Sequence, residues 1–357
     1  PAGIFASYIL ALAGMRPIVL ERGLSIEERQ AKVDALWQNG VLDKKTNAEY
    51  GEGGAGAFSD GKLNSGIKEK DLSRFVLETF VKFGAPEDIL YINKPHVGTD
   101  RLRTTIRNLR EEIVRLGGEV KFDAQVTDLC PEGKRVRVAA DKEYLTDRVI
   151  LAIGHSARDT YETLLARGFM MQNKPFAVGV RIEQLQEEIN KTMYGENRDP
   201  RLPPADYKVV EHTPVGGVYS FCMCPGGYVV CASSEEGGVV TNGMSYHARD
   251  GKNANAAMLV GVDQNDFGGG VLDGVAYQRA MEQKAFLAAG GGFRAPAQRV
   301  GDFLKKKKGA LDGKVAPTYL PGVTPCDLND VLPQRVGAAL RTALPVLNAR
   351  IKGFASD

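Results

Sequence analysis

Five glycines fall within eleven positions, Gly51 to Gly61, in the run Tyr50-Gly51-Glu52-Gly53-Gly54-Ala55-Gly56-Ala57-Phe58-Ser59-Asp60-Gly61-Lys62-Leu63-Asn64. Such a run forms neither a stable helix nor a stable strand, because glycine loses the most backbone entropy on ordering and brings no side chain to pack. It must be a loop held in place by its surroundings, and Phe58 and Leu63 within it predict a packed loop rather than a floppy one. Exposed peptide N–H groups beside Ser59, Asp60 and Lys62 are the combination that receives a phosphate or the edge of a planar cofactor ring. Gly53, Gly54, Ala55, Gly56, Ser59, Asp60, Gly61 and Lys62 are therefore candidate cofactor-binding positions. Gly61-Lys62 is followed by Leu63 rather than Ser or Thr, so this is not a nucleotide-hydrolysing phosphate loop.

The first twenty-odd residues carry a second nucleotide signal. From Ile4 the apolar positions have helical spacing, and the small residues Ala6, Ser7, Ala11 and Ala13 allow close packing. Gly14 ends the helix, and Pro17-Ile18-Val19-Leu20 reads as a short buried strand closing on Glu21. A helix, a tight turn and an apolar strand tipped with an acid make the second half of a dinucleotide-binding βαβ unit. In such a unit the strand-tip carboxylate accepts hydrogen bonds from the ribose hydroxyls. Pro1-Ala2-Gly3 fits the last three residues of G-x-G-x-x-G, with Glu21 eighteen positions after Gly3. The first glycines and first strand of that motif would precede Pro1, and Phe354-Ala355-Ser356-Asp357 ends without an evident domain boundary. The chain is accordingly expected to be truncated at both ends and to bind a dinucleotide weakly or not at all as it stands.

Between Asp100 and Gly154 the pattern alternates. Leu102, Ile106, Leu109, Ile113, Val114 and Leu116 stripe one helix, which Gly117-Gly118 ends. Short strands follow at residues 119–123, 125–129 and 135–138, the last turning toward Leu145. Arg148-Val149-Ile150-Leu151-Ala152-Ile153-Gly154 is then expected as a buried strand breaking on a glycine, where backbone approaches a nucleotide closely. Beyond His155 the strands are antiparallel in character, at residues 175–183, 207–211, 218–222 and 228–231, with Gly-Gly or Pro-Gly turns between them. Helices are expected at residues 276–289 and 335–351. The predicted fold is α/β, with a Rossmann-like dinucleotide-binding domain over residues 1–155. An inserted, mostly antiparallel β (α+β) substrate or cap domain follows over 156–330, and a helix over 331–357 returns to the first domain.

Composition narrows the function classes. Forty-six Lys+Arg against 44 Asp+Glu leave a formal charge of +2, too little for a general nucleic-acid binder. The run Lys305–Lys308 reads as a solvated loop. No stretch reaches the roughly 20 apolar residues of a membrane span. Five cysteines in 357 residues are sparse and odd in number, which disfavours a disulfide framework and predicts a cytoplasmic protein. Cys222-Met223-Cys224 has neither the spacing of a zinc site with Cys231, His212 and His247 nor that of a C-x-x-C redox pair. No metal is expected. Plain strand thiols or pocket-lining residues are the expectation there. Asn242, Ser245 and Arg249 form a polar group in a glycine-flanked loop suited to facing substrate.

The segments PAGIFASYILALAG…PIVLERG, GEGGAGAFSDGKLN, PHVGTDRLRTTIRNLREEIVRLGGEV and VILAIGHSARDTYETLL together resemble bacterial FAD-dependent dehydrogenases of unassigned substrate, which are glutathione-reductase-like flavoproteins in the broad sense. The resemblance continues through KPFAVGVRIE, YSFCMCPGG and GGVVTNGMSYHARDGKNANAA. It implies FAD bound in extended form across the Rossmann-like domain. Gly3 would lie near the pyrophosphate, Glu21 on the adenosine ribose, Arg22 beside the adenine, and the Val126 backbone at the adenine edge. The Gly53–Lys62 loop would run along pyrophosphate and flavin, with Ala152 and Gly154 close to the dinucleotide. The implied activity is hydride transfer between FAD and a small organic substrate, with NAD(P)H as a possible electron donor, although no second complete G-x-G-x-x-G is present. His155, His96, Cys222 and Cys224 are the catalytic candidates. Two other readings stay open: a flavoprotein modifying a transfer-RNA base, and a binding module with structural FAD. The substrate and the oligomeric state are open at this stage.

Overall fold

The computed structural model describes residues 2–63 and 68–354. Pro1, Asn64 and residues 355–357, which figure in the motifs above, lie outside that range. The chain forms two compact units, one of residues 1–36 with 41–171, the other of residues 37–40 with 172–357.

In the first unit, helix α1 (Ala2–Leu12) leads through Gly14, at φ 78°, into strand β1 (Ile18–Leu20) and then helix α2 (Ile26–Asn39). The glycine-rich run follows as a short 3-10 turn over Gly54–Phe58, where sequence alone predicts only loop. Helices α3 (Lys70–Lys82) and α4 (Thr99–Arg115) come next, then β2 (Glu119–Lys121), which pairs parallel with β1. The stripe expected on α4 is its buried face: Leu102, Ile106, Leu109 and Ile113 all go inside, whereas Val114 is left half-exposed. α1 lies against this stripe through Ile4, Phe5 and Tyr8, with Phe5 edge-on to Phe80 and Tyr8 edge-on to Phe83. A three-stranded meander of β3 (Asp128–Glu132), β4 (Arg135–Ala139) and β5 (Glu143–Thr146) packs Leu129 and Val138 against Leu164 of α5 (Arg158–Ala166).

Two strand expectations change. Residues 149–153 are not a strand, and Val149, Ile150 and Leu151 are 40%, 60% and 47% exposed. β1 forms where predicted but is not buried, with Ile18 47% exposed. The reason is common to both. β1 has β2 on one edge, and no described strand pairs with its other edge or with residues 149–153. An apolar run becomes a buried strand only when a neighbour takes up its peptide groups.

The second unit is built on a four-stranded antiparallel sheet in the order β6-β11-β8-β7, made of β6 (Phe176–Leu185), β7 (Val210–Thr213), β8 (Gly216–Cys224) and β11 (Asn253–Val262). Helix α6 (Gln186–Tyr194) follows β6 directly, and β9 (Tyr228–Cys231) and β10 (Thr241–Met244) form a separate hairpin. After β11 come α7 (Gln264–Phe267), α8 (Asp273–Ala288), the parallel pair β12 (Ala295–Ala297) and β13 (Val323–Pro325), and α9 (Val300–Leu304). α10 (Leu328–Val331) and α11 (Gln334–Arg350) complete the unit. The sequence predicts a last helix returning to the first domain. α11 is instead built into the core of the second unit, where Val336, Leu340, Leu344 and Leu347 meet Val178, Ile182, Val218, Met258 and Val260 from one face of the sheet. Burial of its full stripe fixes α11 there.

Arg335 clamps the start of α11. It donates to both Asp266 oxygens at 2.6 Å and to the carbonyls of Val215 and Gly261. These hydrogen bonds from Arg335 hold the Asp266 carboxyl below its ordinary 3.8. A group depressed in this way stabilises the fold above its unfolded pKa and loses that contribution as pH falls through the folded value. Urea midpoints measured against pH are therefore expected to fall less steeply below pH ~4 in Asp266→Asn than in the parent protein. Leu340→Ala, at a fully buried position, is expected to cost about 2–5 kcal/mol in the same unfolding assay.

Candidate functional site

The glycine-rich run is organised from inside by Arg29 of α2, a residue that composition and periodicity give no reason to single out. Its side chain is fully buried. Nε donates to Asn47 O at 2.8 Å and Nη2 to Ala48 O at 2.9 Å, while Nη1 donates to Gly51 O, Glu52 O and Gly54 O at 3.2, 2.6 and 2.9 Å. Its guanidinium also stands over the Phe58 ring at 4.6 Å, as does that of Arg103 at 4.5 Å. Burial pushes the Arg29 pKa down to about 10, against the pull of Glu21, Glu49 and Glu52, so it stays charged at neutral pH. The glycines serve this packing. A Cβ at Gly51 would lie 2.5 Å from Arg29 Cδ, one at Gly53 2.9 Å from Ala57 Cβ, and one at Gly61 2.9 Å from the Gly98 amide nitrogen. All three have positive φ. Glycine is therefore required there by the protein's own atoms, a different reason from the open peptide surface that the sequence predicts.

Glu21 stands at the C-terminal end of β1. Its Oε1 accepts from Gly23 N–H at 2.9 Å and Gly51 N–H at 3.0 Å, which ties the strand tip to the glycine run. Its Oε2 has no partner among the described residues. Arg22 donates to both oxygens of Asp159 at 2.8 Å and stacks on Tyr50 at 4.3 Å. Gln125 donates to the same Asp159 at 3.0 Å. Tyr50 in turn donates to the Ser156 carbonyl, and Ser156 Oγ donates to Glu49 at 2.9 Å. Val126, half-buried, has neither its N–H nor its C=O paired among the described residues. Gly3 in α1 faces Ala152, where an added Cβ would sit at a contact distance of 3.5 Å, and Gly154, at φ 74°, has open space where its Cβ would be. Glu21, Arg22, Val126, Gly3, Ala152 and Gly154 thus belong to one unit, and Glu21 is joined directly to the glycine run.

The rest of the run ends in an acid–base group. Asp60, 1% exposed, holds Lys62 Nζ at 2.6 Å and has His96 Nε2 at 3.8 Å, and Lys62 and His96 face each other across an isolated antiparallel bridge. Ser59 Oγ accepts from the Asp60 N–H. Gly54, Ala55 and Gly56 lie half-buried in the 3-10 turn. His155 is different, with its side chain 85% exposed, Nδ1 2.9 Å from Ser156 Oγ and Nε2 3.8 Å from Glu49. Cys222 and Cys224 are in the second unit on β8, and Cys224 Sγ donates to Cys222 O at 3.3 Å. Among the described residues, no helix is long and apolar enough to cross a membrane.

A model of the family described as FAD-dependent protein, C-terminal domain-like, matches residues 175–357, just over half of the chain. The chain is also 47% identical over 363 residues to an uncharacterized protein of Clostridium beijerinckii, in an alignment spanning 100% of this chain and 68% of that protein. The chain belongs to this family of FAD-dependent proteins, and the matched region begins almost where the second unit begins. The family model and the relative name neither a glutathione-reductase-like group nor a role for NAD(P)H as donor. Among solved structures, the chain is similar to NikD, an amino acid oxidase of nikkomycin biosynthesis, at 13% identity and TM-score 0.33, covering 73% of this chain and 68% of that one. It is similar to CtdE in complex with FAD at 13% identity and TM-score 0.21, covering 46% and 35%. At these TM-scores neither likeness bears on the fold or the activity here.

Removing the guanidinium in Arg29→Met would orphan buried carbonyls and is expected to cost about 3 kcal/mol or more. Arg29→Lys is expected to recover little, because an ammonium lacks the planar fork. Urea unfolding followed by circular dichroism, with limited proteolysis of the 50–63 segment, measures both effects.

Proposed function

We propose that the chain is the FAD-binding and substrate-binding part of an FAD-dependent oxidoreductase acting on a small organic molecule. The first unit, in this reading, is a Rossmann-like dinucleotide-binding domain, resting on the parallel pair β1–β2 with α1 feeding β1. The observation that carries it is the Glu21 carboxylate. One oxygen is fixed by two peptide N–H groups, and the other has no described partner and is a ready acceptor for ribose hydroxyls. Ala124 N–H donates to Glu21 O at 2.9 Å, which brings the unpaired Val126 backbone to the same corner as an edge for the adenine. The open space at Gly154 and the small contact of Gly3 with Ala152 leave backbone accessible where a pyrophosphate would pass. The donor set therefore fits the adenosine and pyrophosphate half of FAD.

When bound, FAD supplies hydride acceptance at its ring system, and the protein supplies orientation and electrostatics. Glu21 would fix the ribose. Arg22, itself held by Asp159 and Tyr50, would shape the adenine corner. Asp60, Lys62 and His96 would place a buried carboxylate and two bases at the far end of the glycine run, suited to holding a proton beside the reacting end. Family membership supports the cofactor class.

Absorption spectra of the purified protein titrated with FAD test the reading. Uptake of FAD with a flavin absorption band is expected, and Glu21→Gln is expected to weaken it by roughly tenfold or more, the worth of one charge-assisted hydrogen bond. A colourless protein that takes up no added FAD would end the proposal.

A further inference from the structure

The sheet of the second unit has one face packed on α11, and its other face is divided. At one end Asn253 and Asn255 of β11 are almost fully buried under β10, and Glu183 is occupied by Asn253 and by both donors of Thr318. At the other end the face is open: Phe221 of β8 is 62% exposed. Arg181 of β6 stands where the two halves meet, on the rung Phe221–Ala257–Arg181.

All of its acceptors are neutral. Nε donates to Asn255 Oδ1 at 2.9 Å, Nη2 to Cys222 O at 2.8 Å and to Cys224 Sγ at 3.7 Å, and Nη1 reaches Asn242 Oδ1 only at 3.4 Å. Elsewhere in the unit, Arg279, Arg299, Arg335 and Arg350 each pair with a carboxylate. Arg181 has no carboxylate within ion-pair distance among the described residues. A half-buried cation without a counter-charge costs desolvation that neutral acceptors only partly offset. Beside it, Asn255 Nδ2 is buried with no hydrogen-bond partner, a second unused donor. Cys222 is held at φ 45° next to the β8–β11 register shift, a conformation that non-glycine residues adopt only when their surroundings impose it. Its carbonyl is one of the groups that aim the guanidinium.

We propose that this rung is the subsite for the substrate's carboxylate, and that the substrate is an organic acid with a flat apolar body. The inference rests on the oxidoreductase reading above and names the substrate class for it. Nη1 keeps donor capacity for a carboxylate oxygen. The apolar body would lie on the next rung, Tyr219–Leu259–Gly179, between Tyr219 and Phe221 and over a floor of Ala257 and Leu259. On the far strand of that rung Gly179 stays without a side chain for a physical reason: a Cβ there would stand 1.9 Å from Met258 O. Aromatic walls beside a cation and an apolar floor of Ala257 and Leu259 select an anion with a flat apolar body over a neutral molecule.

Calorimetric titration of the chain with benzoate, and with the neutral isostere benzamide, tests it without reading the flavin. Benzoate is expected to bind at least roughly tenfold more tightly than benzamide. Arg181→Gln is expected to abolish that preference. Phe221→Ser, at an exposed position where folding is not at stake, is expected to weaken benzoate several-fold while keeping the preference. Equal affinity for the two probes overturns the subsite, as does unchanged benzoate binding in Phe221→Ser or in a folded Arg181→Gln. FAD uptake measured by absorbance on the same samples separates the two proposals. A protein that takes up FAD without preferring benzoate loses only the subsite, and one that prefers benzoate without taking up FAD loses only the cofactor reading.

Discussion

Arg29 does for the glycine-rich run what side chains do for an ordinary loop. Glycines contribute no packing, and a run of them carries peptide groups that must be paired or solvated. One guanidinium gathers five carbonyl oxygens from Asn47 to Gly54 and sets the direction of the chain. Once those carbonyls turn inward, Gly51 presents its N–H to Glu21, and the acid at the end of β1 becomes fixed. The geometry of the strand tip therefore depends on a cation buried behind it. A lysine would not substitute, because a point charge cannot meet acceptors spread in a plane.

The two units use polar burial differently. In the first, Arg29 is satisfied by carbonyls, and Glu52, pushed up by burial, is countered by Arg110 and the Ile26 N–H. These pairings hold a loop. In the second, Arg181 and Asn255 leave donor capacity unused on a sheet face that is half covered. Closed networks stabilise the fold, and open ones cost stability unless a ligand completes them.

Much of the secondary structure was legible. The stripe on α4 and the long strand at residues 176–185 follow from period-3.6 and period-2 patterns long enough to stand without context, and helices were expected where α8 and α11 form. The sequence singled out Glu21 and the glycine run, and the structure joins the two through the Gly51 N–H. Arg29, Asp159 and Arg181 were not singled out. Each is an ordinary charged residue within an amphipathic segment, and its role comes from partners 18 to 137 positions away. The exposure of residues 149–151 was hidden for the opposite reason: Val-Ile-Leu has the composition of a buried strand, and composition does not say whether a partner strand lies alongside.

Local sequence, then, determined which segments curl or extend and where glycine breaks them. Those outcomes depend on backbone sterics and side-chain spacing within a few residues. Only the tertiary structure decided that the glycines serve a buried guanidinium, that the last helix joins the core of the second unit, and that Arg181 has no counter-charge among the described residues. Such facts are set by which distant groups meet in a low-dielectric interior, where an unpaired charge or peptide group is costly, and no local pattern encodes that meeting.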